Sequence, residues 1–146
     1  MLRVLGVIAA LTAALFAGAA LYINVAEQPA RLSLDTPSAA AQWAPSYQRA
    51  TWMQAPLALL SLLCGMGVWL MSGGMGWLIA AVLIGLVVPF TFLGIMPTNR
   101  SLLLVGRDLA SAETRDLLER WGRLHAVRTA LSLAATIEYM WVLSAH

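Results

Sequence analysis

Two long stretches without any charged residue constrain this chain more than any other feature. Residues 4–26 contain no Asp, Glu, Lys or Arg, and residues 50–99 contain none either. The first stretch fits one helix of the ~20 residues that cross a bilayer, and the second is long enough for two. A Ser-Gly-Gly-Met-Gly segment at 72–76 divides the second stretch with a turn at which antiparallel helices can reverse. A fourth apolar stretch is less uniform, because it contains Arg128 and Glu138. We therefore predict four spans, near residues 4–25, 54–71, 77–96 and 126–145.

The composition is typical of a membrane protein and excludes several other classes. Apolar residues make up 60% of the 146 residues and charged residues 11%, against ~45–50% and ~25% in ordinary soluble domains. So few charges cannot cover the surface of a soluble domain, and so apolar a chain is not a disordered tail. The formal charge of +2 is too small for a phosphate-binding surface, so nucleic acid is excluded as a partner.

The predicted fold class is all-α, an integral membrane antiparallel four-helix bundle that forms a single domain over residues 1–146. The spans lack the period-2 alternation of barrel strands, and only helices or closed barrels satisfy the backbone in lipid. Polar loops are predicted at 26–53 and 97–125. Pro89 predicts a kink in the third span, because proline removes a backbone donor.

The first apolar stretch predicts a retained membrane helix. Its small residues Ala10, Ala14 and Gly18 recur every four positions and predict a face for close contact with another helix. The alternative is a signal peptide, because Arg3 precedes the apolar run and residues 17–19 resemble a cleavage site. The run is longer than the ~7–15 residues of a signal peptide's apolar region, which favours the retained helix.

The placement of arginine predicts the orientation in the membrane. All nine basic residues are arginine, and seven of them lie in the two predicted polar loops, whereas Arg3 lies alone on the other side. Basic residues stay on the cytoplasmic side. We therefore predict a multi-pass protein of a bacterial-type inner membrane, with both polar loops in the cytoplasm and both termini outside.

Polar clusters lie at the cytoplasmic ends of the predicted spans, and the first two come before the second span. Asn24, Glu27 and Arg31 would share one helix face at i, i+3 and i+7, unless the Glu–Arg pair is a solvated helix end. Trp43, Tyr47 and Trp52 suit a belt of interfacial aromatic residues, or alternatively the wall of a site for a flat aromatic ligand.

The other two clusters follow the third span and precede the fourth. Asn99 would cap a following helix or point back into the bundle, and Ser111 is predicted to cap a helix that runs unbroken into the fourth span. On that helix Trp121, His125 and Arg128 recur at i, i+4 and i+7, which places them on one face. Such residues at the membrane boundary should face protein or trapped water. The alternative is an interfacial imidazole and a guanidinium that reaches the membrane surface.

Several kinds of site have no signal in the sequence. There is no hydrolase triad, zinc-ligand spacing, phosphate-binding loop or dinucleotide-binding glycine motif, and Cys64 is the single cysteine. We predict no cofactor, but a haem is left open, as is a metal if Glu27, Asn99 and His125 converge. Glu138 should face the bundle interior, be protonated or lie near the outer interface.

Four motifs, in the expected order, carry a family resemblance over nearly the whole chain. They read Asn-Val-Ala-Glu-Gln-Pro-Ala-Arg from residue 24, Trp-x-Pro-Ser-Tyr from 43, Pro-Thr-Asn from 97 and Arg-Trp-x-Arg-Leu-His-x-x-Arg from 120. The chain resembles the DUF1772, or anthrone-oxygenase-like, family of small proteins with four predicted spans. The resemblance implies an oxidoreductase that converts an anthrone carbon to an anthraquinone carbonyl with dioxygen, without a conventional cofactor.

A base-assisted mechanism fits these residues. A base removes a proton from the acidic methylene of an anthrone, a cation stabilises the oxyanion, and the anion reacts with dioxygen. The predicted catalytic residues are His125, Glu27, Arg128 and Asn99. The predicted substrate-binding residues are Arg31, Trp43, Tyr47 and Trp121.

A non-enzymatic membrane protein is the alternative, either an accessory subunit or a bundle that binds lipid or a small molecule. In that case the polar clusters would only lock the helices together. Both alternatives predict a hydrophobic small molecule and the lipid bilayer as partners, and assembly into a homo-oligomer is left open. An enclosed pocket open to one side would favour catalysis or ligand binding, and a dry, fully paired network would favour a structural role.

Overall fold

The computed structural model describes residues 1–145 as a helical chain, and His146 lies outside the described residues. The elements are, in order, α1 Leu2–Tyr22, a π-helical turn Ile23–Glu27, α2 Gln28–Leu32, α3 Thr36–Ser72, α4 Met75–Phe90, a second π-helical turn Thr91–Ile95, α5 Met96–Leu102 and α6 Ala112–Ser144. No strand occurs among the described residues. The all-α prediction is confirmed.

The four long helices form an antiparallel bundle. Helix α1 packs against α3 and α6, and α4 packs against the same two helices. Asn24, near the end of the first helical stretch, bonds to Gly122 in the first half of α6. At the opposite end, the Tyr139 hydroxyl of α6 donates to the carbonyl of Ser61 in α3. The first bond shows that α1 and α6 run in opposite directions, whereas the second joins the later parts of the diagonally placed α3 and α6, which run in the same direction. Adjacent helices are therefore antiparallel, as the sequence predicts.

Three helical stretches are long and apolar enough to cross a membrane, namely Leu2–Leu32, Thr36–Ser72 and Met75–Leu102. The fourth predicted span, 126–145, lies in the second half of α6 and is not among them. Its apolar character is interrupted by Arg128 and Glu138. The fourth crossing therefore stays a prediction.

Helices extend well into the segments predicted as polar loops. Of residues 26–53, only the short connection between Leu32 and Thr36 is not helical. Helix α3 begins directly after this connection, because Asp35 caps it by accepting a hydrogen bond from the Ser38 amide at 2.8 Å. In the segment 97–125, the part between Leu102 and Ala112 is non-helical. The polar composition of these two segments therefore did not show which of their residues form helix and which form loop.

Two local predictions are confirmed by the backbone. Helix α3 ends where Gly73 adopts a left-handed conformation with φ of 71°, and α4 begins at Met75. A left-handed residue is readily supplied by glycine, so the predicted turn forms there. Helix α6 begins after Ser111, whose hydroxyl accepts a hydrogen bond from the Thr114 amide at 3.1 Å, and it runs to Ser144 without a break.

The small-residue face of α1 differs from the predicted one. Gly18 is exposed, with no atom within 4 Å of the position that a Cβ would occupy. The buried small residues instead follow steps of three and four, and they are Gly6, Ala9, Ala10, Ala13, Ala17 and Ala20. A strict four-residue series drifts around an α-helix of 3.6 residues per turn, so it leaves the contact face after two turns.

The interior divides into two clusters at opposite ends of the bundle. The apolar half contains the alanines of α1 together with Trp77 and Tyr139. The polar half is centred on Trp43 and Trp121. Glu138 lies in the apolar half against Gly76, close to the turn between α3 and α4, which fits the expectation of a position near the end of the bundle.

Candidate functional site

The polar half brings together side chains from every segment that the sequence analysis singled out. The first π-turn and α2 supply Asn24, Glu27 and Arg31, α3 supplies Trp43, Tyr47 and Gln54, α5 supplies Asn99, and α6 supplies Trp121, His125 and Arg128. The predicted face of α6 is confirmed, because Trp121, His125 and Arg128 are only 4%, 1% and 9% exposed. Neither the imidazole nor this guanidinium reaches the surface of the bundle.

Arg31 is the centre of the first polar network. Its Nη2 lies 2.5 Å from Glu27 Oε1, its Nη1 donates to Gln28 and its Nε donates to Gln42. The Ser46 hydroxyl donates to the same Glu27 oxygen. Because Arg31 is only 3% exposed, the alternative of a solvated Glu–Arg pair is wrong for its guanidinium.

The bonds to Glu27 leave its two oxygens in different situations. Arg31, Ser46 and Gln42 all donate to Oε1. None of these bonds reaches Oε2. The Glu27 side chain keeps 21% of its surface exposed, so the carboxylate is fixed on one side and open on the other.

Asn24 is the centre of the second network and sets the tautomer of His125. The Asn24 amide nitrogen donates to the carbonyl of Gly122 at 3.0 Å, so its oxygen must point the other way. That oxygen lies 2.8 Å from Nδ1 of His125 and accepts from the Thr129 hydroxyl at 2.6 Å. An amide oxygen only accepts hydrogen bonds, so Nδ1 carries the proton, and in the neutral ring Nε2 carries the lone pair.

Aromatic rings join the two networks. The Trp43 and Tyr47 rings stack with their centroids 5.1 Å apart, and Trp43 meets Trp121 edge to face at 5.9 Å. Trp121 stacks on His125 at 4.9 Å, while the guanidinium carbon of Arg31 lies 5.7 Å from the Trp121 ring centroid. Trp43 is 1% exposed, so the interfacial-belt alternative is wrong for it, whereas the exposed Trp52 fits such a belt.

Arg128 and Asn99 are buried without full hydrogen bonding. Arg128 donates from Nη2 to Gln54 Oε1 at 2.9 Å, but its Nε and the Gln54 amide nitrogen have no partner in residues 1–145. Asn99 is 1% exposed, and neither atom of its amide is bonded within the described chain. It does not cap a helix, so the alternative of an amide that points into the bundle holds. Unpaired buried polar atoms are costly and suggest a place for water or a ligand.

The structure does not bring the predicted catalytic residues into one hydrogen-bonded group. Glu27 bonds to Arg31, and His125 bonds to Asn24, with Trp121 between the two networks. No group of three or more His, Cys, Asp or Glu side chains within residues 1–145 is arranged to hold a metal ion. Glu27 and His125 belong to separate hydrogen-bond networks, and a metal held by Glu27, Asn99 and His125 stays a prediction.

Several polar partners were not picked out from the sequence. Gln28, Gln42, Ser46, Gln54 and Thr129 all bond to predicted site residues. Gln54 carried the clearest signal, because an amide stands at the start of a predicted apolar span. Gln28, Gln42 and Ser46 lie in the predicted polar loop 26–53, where a solvated position is the usual expectation. Thr129 lies inside the predicted fourth span, where a single hydroxyl gives little signal.

Three openings border the polar half; one of about 470 Å³ is lined by Asn24, Gln28 and Gly122 among others, and the other two contain predicted catalytic residues. The Glu27 groove, of about 520 Å³, lies between α1 and α3 and is lined by Ala19, Tyr22, Ile23, Glu27, Gln42, Pro45, Ser46, Arg49, Ala50 and Met53. The Arg128 cavity, of about 140 Å³, lies between α1, α3, α4 and α6 and includes Phe16, Tyr47, Val87, Phe92 and Arg128. Thus Glu27 and Arg128 border different spaces.

Comparison with known proteins gives a family but no solved relative. The model of the anthrone oxygenase family matches residues 43–137. "Anthrone oxygenase tpcL" of Aspergillus fumigatus is 41% identical over 69 residues, which are 45% of this chain and 43% of that protein. An "anthrone oxygenase" of Claviceps purpurea is 35% identical over 72 residues, 44% of this chain and 41% of the relative. No solved structure matches.

The region that the family model matches covers only part of the candidate site. It includes Trp43, Tyr47, Asn99, Trp121, His125 and Arg128, whereas Glu27 and Arg31 precede it. The aligned part spans about two fifths of the length of the curated relatives. Because the family model covers more than half of the residues, the chain belongs to the anthrone oxygenase family.

Proposed function

We propose that this protein is a membrane oxygenase that oxidises an anthrone- or quinol-like aromatic molecule with dioxygen. Membership of the anthrone oxygenase family supports the reaction class. The observation that carries the proposal is the Glu27 groove, in which a carboxylate with one fixed and one open oxygen borders a space of about 520 Å³. Ligand pockets commonly measure ~300–1,000 Å³, so three fused rings fit a space of this size.

In this proposal Glu27 is the proton acceptor. Oε1 is held by Arg31 and Ser46, so Oε2 is the oxygen that faces substrate. A positioned base of this kind contributes roughly 10²–10⁴ in rate. Arg49 lines the same groove and stabilises negative charge as it develops on the ring oxygen.

The reaction balances without a further co-reactant. Loss of the methylene proton to Glu27 leaves the electron pair in the ring system as an anthrolate anion. The anion reduces dioxygen and forms a carbon–oxygen bond, which gives a hydroperoxide after protonation. Loss of the second proton from the same carbon breaks the oxygen–oxygen bond, so one oxygen stays as the new carbonyl and the other leaves as water. The proposal assigns no step to a bound metal or haem.

His125 has a positioning role in this proposal. Its ring is 1% exposed and stacks on Trp121, whose ring lies beside Arg31. Arg31 in turn holds Glu27. His125 therefore acts on the carboxylate through two packed neighbours and does not touch the substrate.

The test is oxidation of anthrone by the full chain reconstituted in lipid nanodiscs, measured above the rate with empty nanodiscs. Glu27→Gln should lower the rate by at least roughly 10²-fold, because the amide cannot take the proton. The control Glu113→Gln, at a side chain that is 74% exposed, should keep the full rate. His125→Asn retains a donor for Asn24 and should lose less activity than Glu27→Gln. Labelled dioxygen should place one labelled atom in the quinone.

Two outcomes would contradict different parts of the proposal. Full activity in Glu27→Gln together with inactivity in His125→Asn would show that the proton acceptor is the His125 imidazole and not Glu27. A wild-type rate equal to that of empty nanodiscs would remove the oxidation itself and favour the non-enzymatic small-molecule-binding alternative. Activity that is lost on chelation and restored by one metal would contradict the metal-free step.

A further inference from the structure

The Arg128 cavity contains a buried positive charge that the proposed reaction does not use. Its walls are mostly apolar and come from five helices and the second π-turn. They include Phe16, Tyr47, Thr51, Ala55, Thr91 and Arg128. The hydroxyls of Thr51 and Thr91 donate to carbonyls of their own helices. The cavity therefore presents one guanidinium in an apolar setting, with the Tyr47 ring beside it.

No carboxylate balances this guanidinium. Within residues 1–145, the ion pairs join Arg31 to Glu27, Arg107 to Glu113 and Arg115 to Glu119, and none involves Arg128. Arg128 bonds to the neutral amide of Gln54, and its guanidinium carbon lies 5.3 Å from the Phe16 ring centroid. A buried cation without an anion is costly, because the charge has lost its hydration and gained no opposite charge. An anionic ligand would offset that cost.

The cavity opens sideways between α3 and α4. Its wall residues Thr51, Ala55, Val88 and Phe92 are exposed on the outer surface, Phe92 by 62%. Both helices belong to stretches that are apolar and long enough to cross a membrane. A ligand that enters here comes from the apolar side of the bundle, so it needs an apolar body.

The size of the cavity limits that body to about one ring. A cavity of about 140 Å³ is close to the ~150 Å³ engineered cavity that holds benzene in a well-studied protein. Three fused rings do not fit within it. The Arg128 cavity is thus a different site from the Glu27 groove, and it does not depend on the proposed oxidation.

We propose that the Arg128 cavity binds a small organic anion, with a carboxylate or phenolate oxygen paired to Arg128 and one aromatic ring among the apolar wall residues. The Gln54 side chain holds the guanidinium from behind, and the Tyr47 ring packs beside the ligand. Arg128 recognises the anionic oxygen of the ligand. The apolar body of the ligand lets it enter the cavity from the apolar surface between α3 and α4.

The test compares benzoate, 4-nitrophenolate and the neutral isostere benzamide by calorimetric titration of the full chain in nanodiscs, with empty nanodiscs subtracted. At least one anion should bind saturably and about 10- to 100-fold more tightly than benzamide, because a hydrogen-bonded buried charge is worth ~1.5–3 kcal/mol. The anion that binds more tightly shows whether the cavity prefers a carboxylate or a phenolate oxygen. No saturable binding of either anion, or equal binding of benzamide, would overturn the proposal.

Two variants locate the binding site. Arg128→Met should remove the preference for the anion over benzamide, and unchanged preference would overturn the assignment. Because that variant alters a buried position, Ala55→Leu provides a second test at the exposed mouth of the cavity. It should weaken anion binding, while Ala130→Leu, at an exposed position on α6, should not. Equal binding by the two leucine variants would place the ligand elsewhere.

Discussion

The two halves of the bundle are built from the same four helices but satisfy their polar groups to different extents. In the apolar half, Ser61 donates to the carbonyl of Ala9 and Tyr139 donates to that of Ser61. In the polar half lie all the buried side-chain atoms without a partner among residues 1–145, which belong to Trp43, Gln54, Asn99, Trp121 and Arg128. Among the described residues, the apolar half thus pairs its buried polar side-chain atoms, whereas the polar half leaves buried donors and acceptors unpaired. This difference predicts that substitutions in the apolar half chiefly lower stability, while the unpaired groups of the polar half are free for the proposed ligands.

The largest effect on stability is expected from filling a close contact in the apolar half. A Cβ at Gly65 would lie 2.0 Å from the Tyr139 hydroxyl, whereas a Cβ at Gly18 would meet nothing within 4 Å. Gly65→Ala should destabilise the protein by about 1–3 kcal/mol, measured by denaturant-induced unfolding in detergent. Gly18→Ala is the matched control and should be neutral or slightly stabilising. Equal effects would show that the close contact at Tyr139 does not limit packing.

A pair of substitutions should have opposite signs in the two halves. Asn99→Leu replaces a buried amide that has no partner, so unfolding should become harder by about 1 kcal/mol. Ser61→Ala removes a satisfied bond of 2.9 Å, so unfolding should become easier by about 1 kcal/mol. The same Asn99→Leu sample tests the predicted catalytic role, since a loss of oxidation with a gain of stability would separate the two properties. A loss of stability in Asn99→Leu would mean that the amide is satisfied in the folded protein.

The tautomer of His125 tests the hydrogen-bond network of the polar half. With isotope-labelled histidine and the background substitution His146→Gln, a single imidazole remains to be observed by NMR. The wild type should show the proton on Nδ1, because Asn24 accepts there. Asn24→Ala should shift the population toward the proton on Nε2, while Thr129→Val, which keeps Asn24, should leave it on Nδ1. A wild-type proton on Nε2 would contradict the assigned orientation of the Asn24 amide.

The smallest effect on stability is expected outside both halves, at the Asp35 cap that starts α3. Hydrogen bonds from Ser38 hold the pKa of Asp35 below its ordinary value of 3.8. A lowered carboxyl pKa means that the stabilisation is present above the unfolded-state pKa and is lost as the pH falls through the folded-state value. The stability difference between the wild type and Asp35→Asn should therefore narrow in acid, since asparagine caps without titrating. If the stability difference between the wild type and Asp35→Asn stayed constant across the acidic range, the Asp35 carboxylate would not be stabilising α3 as a cap.

The fold was largely predictable because its signals are local. Uncharged apolar stretches, the Gly73 turn and the Ser111 cap each act within a few residues, and each gave the correct type of element. The loop boundaries were less predictable, since residues 36–53 are polar enough for a loop and yet form the first half of α3. The fourth crossing depends on how lipid accommodates Arg128 and Glu138, which composition alone does not decide.

The candidate site was predictable in its members but not in its pairings. The i, i+4, i+7 spacing of Trp121, His125 and Arg128 correctly placed all three inside the bundle. The partners come from other helices, so the pairing of His125 with Asn24 and of Arg128 with Gln54 depends on how those helices face each other. The predicted face of Asn24, Glu27 and Arg31 also assumed a straight α-helix, and the π-turn invalidates that assumption.

The first π-turn takes up one more residue than an α-helix would use to continue the same buried face. The buried positions along this stretch run Ala20, Ile23, Gln28 and Arg31, so the chain takes a step of five residues where an α-helix takes three or four. Deleting Val25, whose side chain is 68% exposed, would remove no buried contact of its own. The deletion would turn the five-residue step from Ile23 to Gln28 into a four-residue step, which an ordinary α-helix makes with only about 40° beyond one full turn. Gln28 and Arg31 would then stay on the buried face, whereas a deletion within the regular part of α1 would rotate everything beyond it by about 100°. The π-turn thus tolerates the loss of one residue at a point where a regular helix would not.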